Sequence, residues 1–315
     1  MQDANEPIKN KFPFFFKHFR NSPAYIEERN QYLSSQFRDL VAKEGENNLN
    51  KAKIFLQKYA SIATCLISNK GMMTDAAGRK FLTPLSAYGY LHWAGDSDLI
   101  DLFDPYIDTS TLRNLHQECM LIKEQGLSFE FNGETIVGSR QFDMQPVIRA
   151  AFLYDESAKH IIAEKNKPYT AWESLKPLWY DYGNELRKLP LWMAQLICSP
   201  LPLCPPPAMD KLDNARTILF HNLSTGETES WFAKDTAHPN LGISISIHKV
   251  DSDRAWGLAI PPRDALERGL SDLDALTKIY QIRMKKHPKE RLKKLAEKLN
   301  LVTDEVPQVS TFEFH

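Results

Sequence analysis

The chain has 315 residues, of which 43% are hydrophobic and 25% charged, and its formal net charge is −1. That length supports one large domain or two ordinary ones with a full core, and the charge balance excludes a global attraction to nucleic acid or to a membrane surface. Four cysteines, Cys65, Cys119, Cys198 and Cys204, are too few for a disulfide framework and read as reduced thiols.

The first residues, MQDANEPIKN, are polar and mixed in charge, unlike a secretory leader. FPFFF at 12–16 is too short for a signal core or a membrane span. Tyr25, Tyr32, Phe37, Leu40 and Val41 recur near helical spacing and predict a helix over 24–45. A second is predicted over 48–71, with Ile54, Phe55, Tyr59, Ile62, Cys65 and Leu66 on its apolar face and Gly71 as its stop. In TPLSAYGYLHW (83–93), Thr83 reads as an N-cap and Pro84 as the first helical residue. Asp96 is placed to cap a short helix, SDLIDLFDPYI, and Asp108 a longer one closed by Gly126. LSFEFNGETIVG (127–138) alternates around Asn132-Gly133, the strongest two-residue hairpin signal.

Helices are predicted again over about 143–165, 169–188 and 189–198. SPLPLCPPP (199–207) holds five prolines in nine residues and cannot continue a helix. Strand, turn and strand follow over 216–233. Ile243, Ile245 and Ile247 alternate with Ser244 and Ser246 in a half-buried strand over 242–250. Helix returns over 261–287, a basic segment runs to 300, and the tail LVTDEVPQVSTFEFH reads as loosely ordered. The expected class is α+β, helix-rich, with β-hairpins at about 127–138 and 216–250. The expected organisation is a helical domain over 1–198, a proline-rich strap over 199–210, and an α+β region over 211–315 with basic C-terminal helices.

Chemical candidates are few. Cys65, His92 and Asp96 are the residue types of a nucleophile, base and orienter, and a thiol-dependent hydrolase or transferase would use Cys65 or Cys198 with a histidine. The position of Cys65 on an apolar helix face favours a packed thiol instead. His116 and Cys119 share a helix face, but no further ligands complete a metal site. Asp96, Asp98, Asp101 and Asp104 lack the glycine and final glutamate of a calcium loop and read as a cap followed by solvated acids. Neither a metal nor a cofactor is expected, and nucleic acid is not expected as a partner.

The segment 278–298 carries nine Lys/Arg against two Glu. Leu292, Leu295 and Leu299 form a stripe along it, and Pro288 is predicted to break it in two. Lys285, Lys286, Arg291, Lys293 and Lys294 are the candidates for contact with anionic lipid or a phosphoinositide. Trp93, Trp172, Trp179 and Trp192 are core residues or, if they line a groove, interface anchors.

TPLSA, WAGD and LIDLF together suggest an ankyrin-like helix pair over 83–126. No second copy occurs, so a regular ankyrin solenoid is excluded. A longer pattern is better matched: YLHWAGDSDLIDLFDPYID, GLSFEFNG, RQFDMQPVIRAAFLY and FHNLSTGETESWF, in that order. It resembles a domain that recurs in effector proteins delivered by Dot/Icm-type type IV secretion from intracellular bacterial pathogens. The resemblance spans about 80–260, and the tail TDEVPQVSTFEFH is similar to a C-terminal export signal. It departs at Asp98-Leu99, where the family tends to show His-Met, and at Met144-Gln145, where Phe-Thr is usual. The resemblance implies a virulence protein made in the bacterial cytoplasm and secreted into the host cytosol, where it binds a host protein. It implies no reaction.

Overall fold

The computed structural model describes residues 22–163, 174–198, 217–222, 227–232, 273 and 276–300. The strand expected at 242–250, the proline-rich strap, the tail, Trp172 and Cys204 lie outside the described residues.

Helix α1 (Pro23–Ala42) begins where Ser22 accepts the Tyr25 N–H at 3.2 Å, with proline in its first turn. It buries Leu33, Phe37 and Val41. The single helix expected over 48–71 is interrupted. It consists of α2 (Asn48–Lys58), a 3-10 turn (Ala60–Ile62) and α3 (Ala63–Ser68). The bend lets both halves pack against α1. It also rotates the buried face onto Ala52, Leu56, Ala63, Leu66 and Ile67 and leaves Ile54 exposed.

The start of the next helix also differs from expectation. Thr83 and Pro84 are not helical, because Leu85 is held extended by a two-way backbone bridge to Gly71, at 3.0 and 2.9 Å. The cap is Ser86, whose hydroxyl accepts the Gly89 N–H at 2.8 Å and opens α4 (Ala87–Ala94). Asp96 caps α5 (Ser97–Phe103) through the Leu99 N–H at 3.3 Å. A 3-10 turn (Asp104–Tyr106) follows. Asp108 then caps α6 (Thr109–Gln125) through the Thr111 N–H at 2.7 Å.

Strands β1 (Lys80–Phe81), β2 (Leu127–Phe131) and β3 (Glu134–Ser139) form an antiparallel sheet in that order. Asn132 and Gly133 both adopt positive φ, 50° and 83°, the conformation a tight two-residue hairpin requires. β2 buries Leu127 and Phe129, whereas β3 is the exposed outer edge. Helix α7 (Gln145–Ala163) packs on α8 (Lys176–Leu186), and α9 (Leu191–Cys198) is buried over most of its length. A two-stranded pair, β4 (Leu219–Asn222) and β5 (Glu227–Ser230), supplies the second hairpin, and the class is α+β, helix-rich.

The basic segment does not break at Pro288. A π-helical stretch (Tyr280–Lys286) runs directly into α10 (His287–Lys298). The wider turn ahead of the proline accommodates a ring and a missing N–H that a regular helix interior would reject.

The core is organised around a buried ion pair. Arg79 is 2% exposed. Its guanidinium meets the buried Asp75 carboxylate at 2.6 Å, and its backbone N–H donates to the other carboxylate oxygen at 3.0 Å. The turn between them closes with a Gly78 N–H to Asp75 carbonyl bond at 3.0 Å, Gly78 taking φ +94°. The rings of Phe142, Phe131 and Trp93 stand 5.0, 5.2 and 5.5 Å from the guanidinium carbon. The second terminal guanidinium nitrogen donates to the carbonyl of Lys188, just past α8. Trp93, 1% exposed, packs edge-on to Phe81, Phe129 and Phe142 at 5.2, 5.6 and 6.0 Å. Its indole N–H donates to Ser139 at 3.0 Å.

Removing one partner of such a pair strands a charge in low dielectric. Asp75→Ala is therefore expected to cost about 3–5 kcal/mol, read as a fall in the urea midpoint with the m-value unchanged.

Candidate functional site

The corner at 88–104 is where most of the candidate residues converge. Of the proposed triad, Asp96 is spent on capping α5. Cys65 is half-buried on α3, and its carbonyl accepts from Ser34 and from the Asn69 N–H. His92 is only 8% exposed on α4. Its imidazole is driven down to about 4, first by burial and then by the charges of Arg291 and Lys123. A carboxylate orienting it as a general base would act in the opposite direction. Cys119 is fully buried, and burial followed by the neighbouring Glu118 pushes its thiol far up, which keeps it protonated and inert. Cys198 is half-buried at the end of α9. Among the described residues, no three His, Cys, Asp or Glu side chains gather as a metal ion would need.

Glu118 was not legible as important in the sequence. It is buried on α6 and accepts from the Ser86 hydroxyl at 2.6 Å and the Ser86 N–H at 3.1 Å. It thereby holds the residue that caps α4. Lys70 stands 3.7 Å away at the surface.

The acids of α5 meet the basic segment. Asp98 pairs with Arg283 at 3.0 Å, and Arg283 also bonds the Ser97 hydroxyl. Asp101 pairs with Arg291, with Asp104 at 3.8 Å from the same guanidinium and 3.6 Å from Lys298. Arg283 also lies 5.7 Å over the ring of Trp192, whose indole N–H donates to the Ala94 carbonyl at 2.7 Å. A cavity of about 160 Å³ remains between α5 and α10, lined by Ser97, Asp101, Asp104, Arg291, Lys294 and Lys298. Partly exposed ion pairs are each worth ~0–1 kcal/mol. Adhesion therefore comes mainly from the buried Met284, Leu295 and Leu299, and the pairs set the register.

The candidate binding residues divide accordingly. Trp93 and Trp192 are core residues, Trp179 lies on α8, and Arg291 is docked on α5. Lys293 and Lys294 face solvent, and Lys285 and Lys286 lie on the π-helical stretch. Apart from Ile282, the exposed large apolar side chains among the described residues lie outside the basic segment. Ile136 and Val137 lie on the β3 edge, Val137 at 76% exposure, and Phe152 and Leu153 lie on α7. For Ile136 and Val137 the sequence signal was the alternation of 127–138, which places a second strand without saying whether its face is covered. No helix among the described residues is long and apolar enough to cross a membrane.

Gly95 closes the corner. It ends α4 at φ +78°, and a Cβ built there would run into the Met284 sulfur. Gly95→Ala is expected to cost about 2–4 kcal/mol from left-handed strain and overpacking together. Combining it with Met284→Ala should cost less than the sum of the two single changes, measured as a coupling energy from chemical denaturation.

Residues 155–295, from within α7 to within α10, match the family model of the CBUA0006 C-terminal domain. No curated protein and no solved structure matches the chain.

Proposed function

We propose that this chain is an effector-type interaction protein that acts in a host cytosol by binding a host protein through the 80–200 region. The observation that carries the reading is the unequal use of side chains in that region. Several of its polar and nucleophilic groups are committed to the fold, Glu118 to Ser86, Asp96 to a helix cap and Cys119 to the core. Among the described residues, its exposed large apolar side chains are Leu82, Leu121, Ile136, Val137, Phe152 and Leu153, and four of the six lie on β3 and α7. Large exposed apolar side chains on an edge strand are an aggregation liability unless a partner uses them. The order of motifs resembling the type IV effector domain supports the same setting.

A second reading, contact with an anionic membrane, is favoured by the outward-facing Lys289, Lys293 and Lys294 of α10. It is the weaker of the two because Arg283 and Arg291 are already engaged with acids.

Val137→Glu and Phe152→Glu alter exposed positions and should leave the circular dichroism spectrum and melting temperature unchanged. Proximity labelling in host cells should show both variants losing the partners that the wild-type chain labels reproducibly. An unchanged partner set would exclude this surface. Flotation with phosphatidylserine vesicles separates the second reading, because charge reversal at Lys289, Lys293 and Lys294 should abolish any co-flotation.

A further inference from the structure

We propose that α7 is a self-association face, on which a second copy of this chain lays its own α7 antiparallel about a two-fold axis passing between Phe152 and Leu153. The helix has two distinct sides. Val147, Ala151, Tyr154 and Ala158 recur at helical spacing and are buried in the core. On the opposite side Gln145, Arg149, Phe152, Leu153, Glu156 and His160 recur at the same spacing, and none of them is buried. Phe152 and Leu153, at 48% and 43% exposure, sit in the middle of that side with polar residues at both ends.

The order of residues on this side is its own complement. An antiparallel two-fold arrangement brings together residues at equal distances from the axis. Phe152 then meets Leu153 of the second copy. Arg149 and Glu156 stand on either side of the axis, each about 5 Å from it along the helix. Each Arg149 therefore meets Glu156 of the second copy, twice by symmetry, and Gln145 meets His160 one turn further out. A parallel arrangement would set Arg149 against Arg149 and Glu156 against Glu156, which charge repulsion opposes.

Both charges are available for this pairing. Arg149 is exposed, and no salt bridge among the described residues uses it. Glu156 pairs with Lys159 at 2.9 Å at the surface, but Lys159 also reaches the buried Asp155 at 2.7 Å. Lys159 thus keeps an anion when Glu156 turns to the second copy. An apolar pair flanked by opposite charges at equal distances is what an isologous interface asks of one surface, whereas a foreign partner requires no such symmetry. Two large apolar side chains per copy make a small patch, which predicts a weak, exchanging dimer that a tighter host partner can displace. The inference does not depend on the host-binding reading: it is tested on the purified chain alone, so failure of either leaves the other standing.

Sedimentation velocity of the full chain, between about 1 μM and about 1 mM, should show a concentration-dependent monomer–dimer equilibrium. Arg149→Glu and Glu156→Arg each set like charges against one another at two symmetric places and should raise the dimer Kd about ten-fold or more. Both positions are partly or fully exposed, so the circular dichroism spectrum should not change. The double variant Arg149→Glu/Glu156→Arg restores opposite charges at both places and should recover the wild-type Kd. An equimolar mixture of the two single variants should form a heterodimer more tightly than either variant dimerises alone. The proposal is overturned if the wild-type chain stays monomeric over this range, if either single reversal leaves the Kd unchanged, or if the double variant or the mixture fails to restore association.

Discussion

The Arg79–Asp75 pair is the constraint from which the rest of the architecture follows. A guanidinium at 2% exposure is tolerable only if every side of it is occupied. Asp75 neutralises it, three aromatic rings stand against it, and the Lys188 carbonyl accepts from its second terminal nitrogen. Those partners come from the turn preceding β1, from α4, from β2, from the segment ahead of α7 and from just past α8. A single side chain thus fixes how the sheet, the central helix and the later helices meet. Trp93 is the second half of the device, since it contacts the arginine, the sheet aromatics and Ser139 at once.

The docking of the basic segment is a separate problem with a separate solution. Apolar residues of α10 and Met284 provide adhesion, and the acids of α5 choose the register. Gly95 permits the close approach, because any side chain there would occupy the space of the Met284 sulfur. One glycine therefore serves two ends, terminating α4 in the left-handed region and admitting the neighbouring helix. The cationic charge that looked free along the chain is in part internal.

Where local chemistry dominated, the sequence was readable. Asp96 and Asp108 cap helices because a carboxylate reaches the third N–H ahead of it. Asn132-Gly133 turns a hairpin because both residues accept positive φ. Where tertiary contacts competed, local signals misled. Thr83-Pro84 has the form of a helix start, but the bridge from Leu85 to Gly71 keeps the backbone extended and passes the cap to Ser86. The 48–71 pattern was continuous, but packing of both halves on α1 bends it at Tyr59. Pro288 should have broken a helix, but a π-helical stretch absorbs it.

The sequence by itself determined the α+β class, the caps at Asp96 and Asp108, the hairpin turn and the basic character of 278–298, because each rests on interactions within a few residues. Only the tertiary structure decided which charges are free. Asp75, Arg79, Glu118, Asp98 and Arg283 look like ordinary surface residues along the chain. Their partners lie 4, 32 and 185 residues away for the pairs to Arg79, Ser86 and Asp98 respectively. Even the four-residue pair needs the aromatic cage from distant segments to make it a buried one. Burial and charge pairing are properties of packing, and no local pattern encodes them.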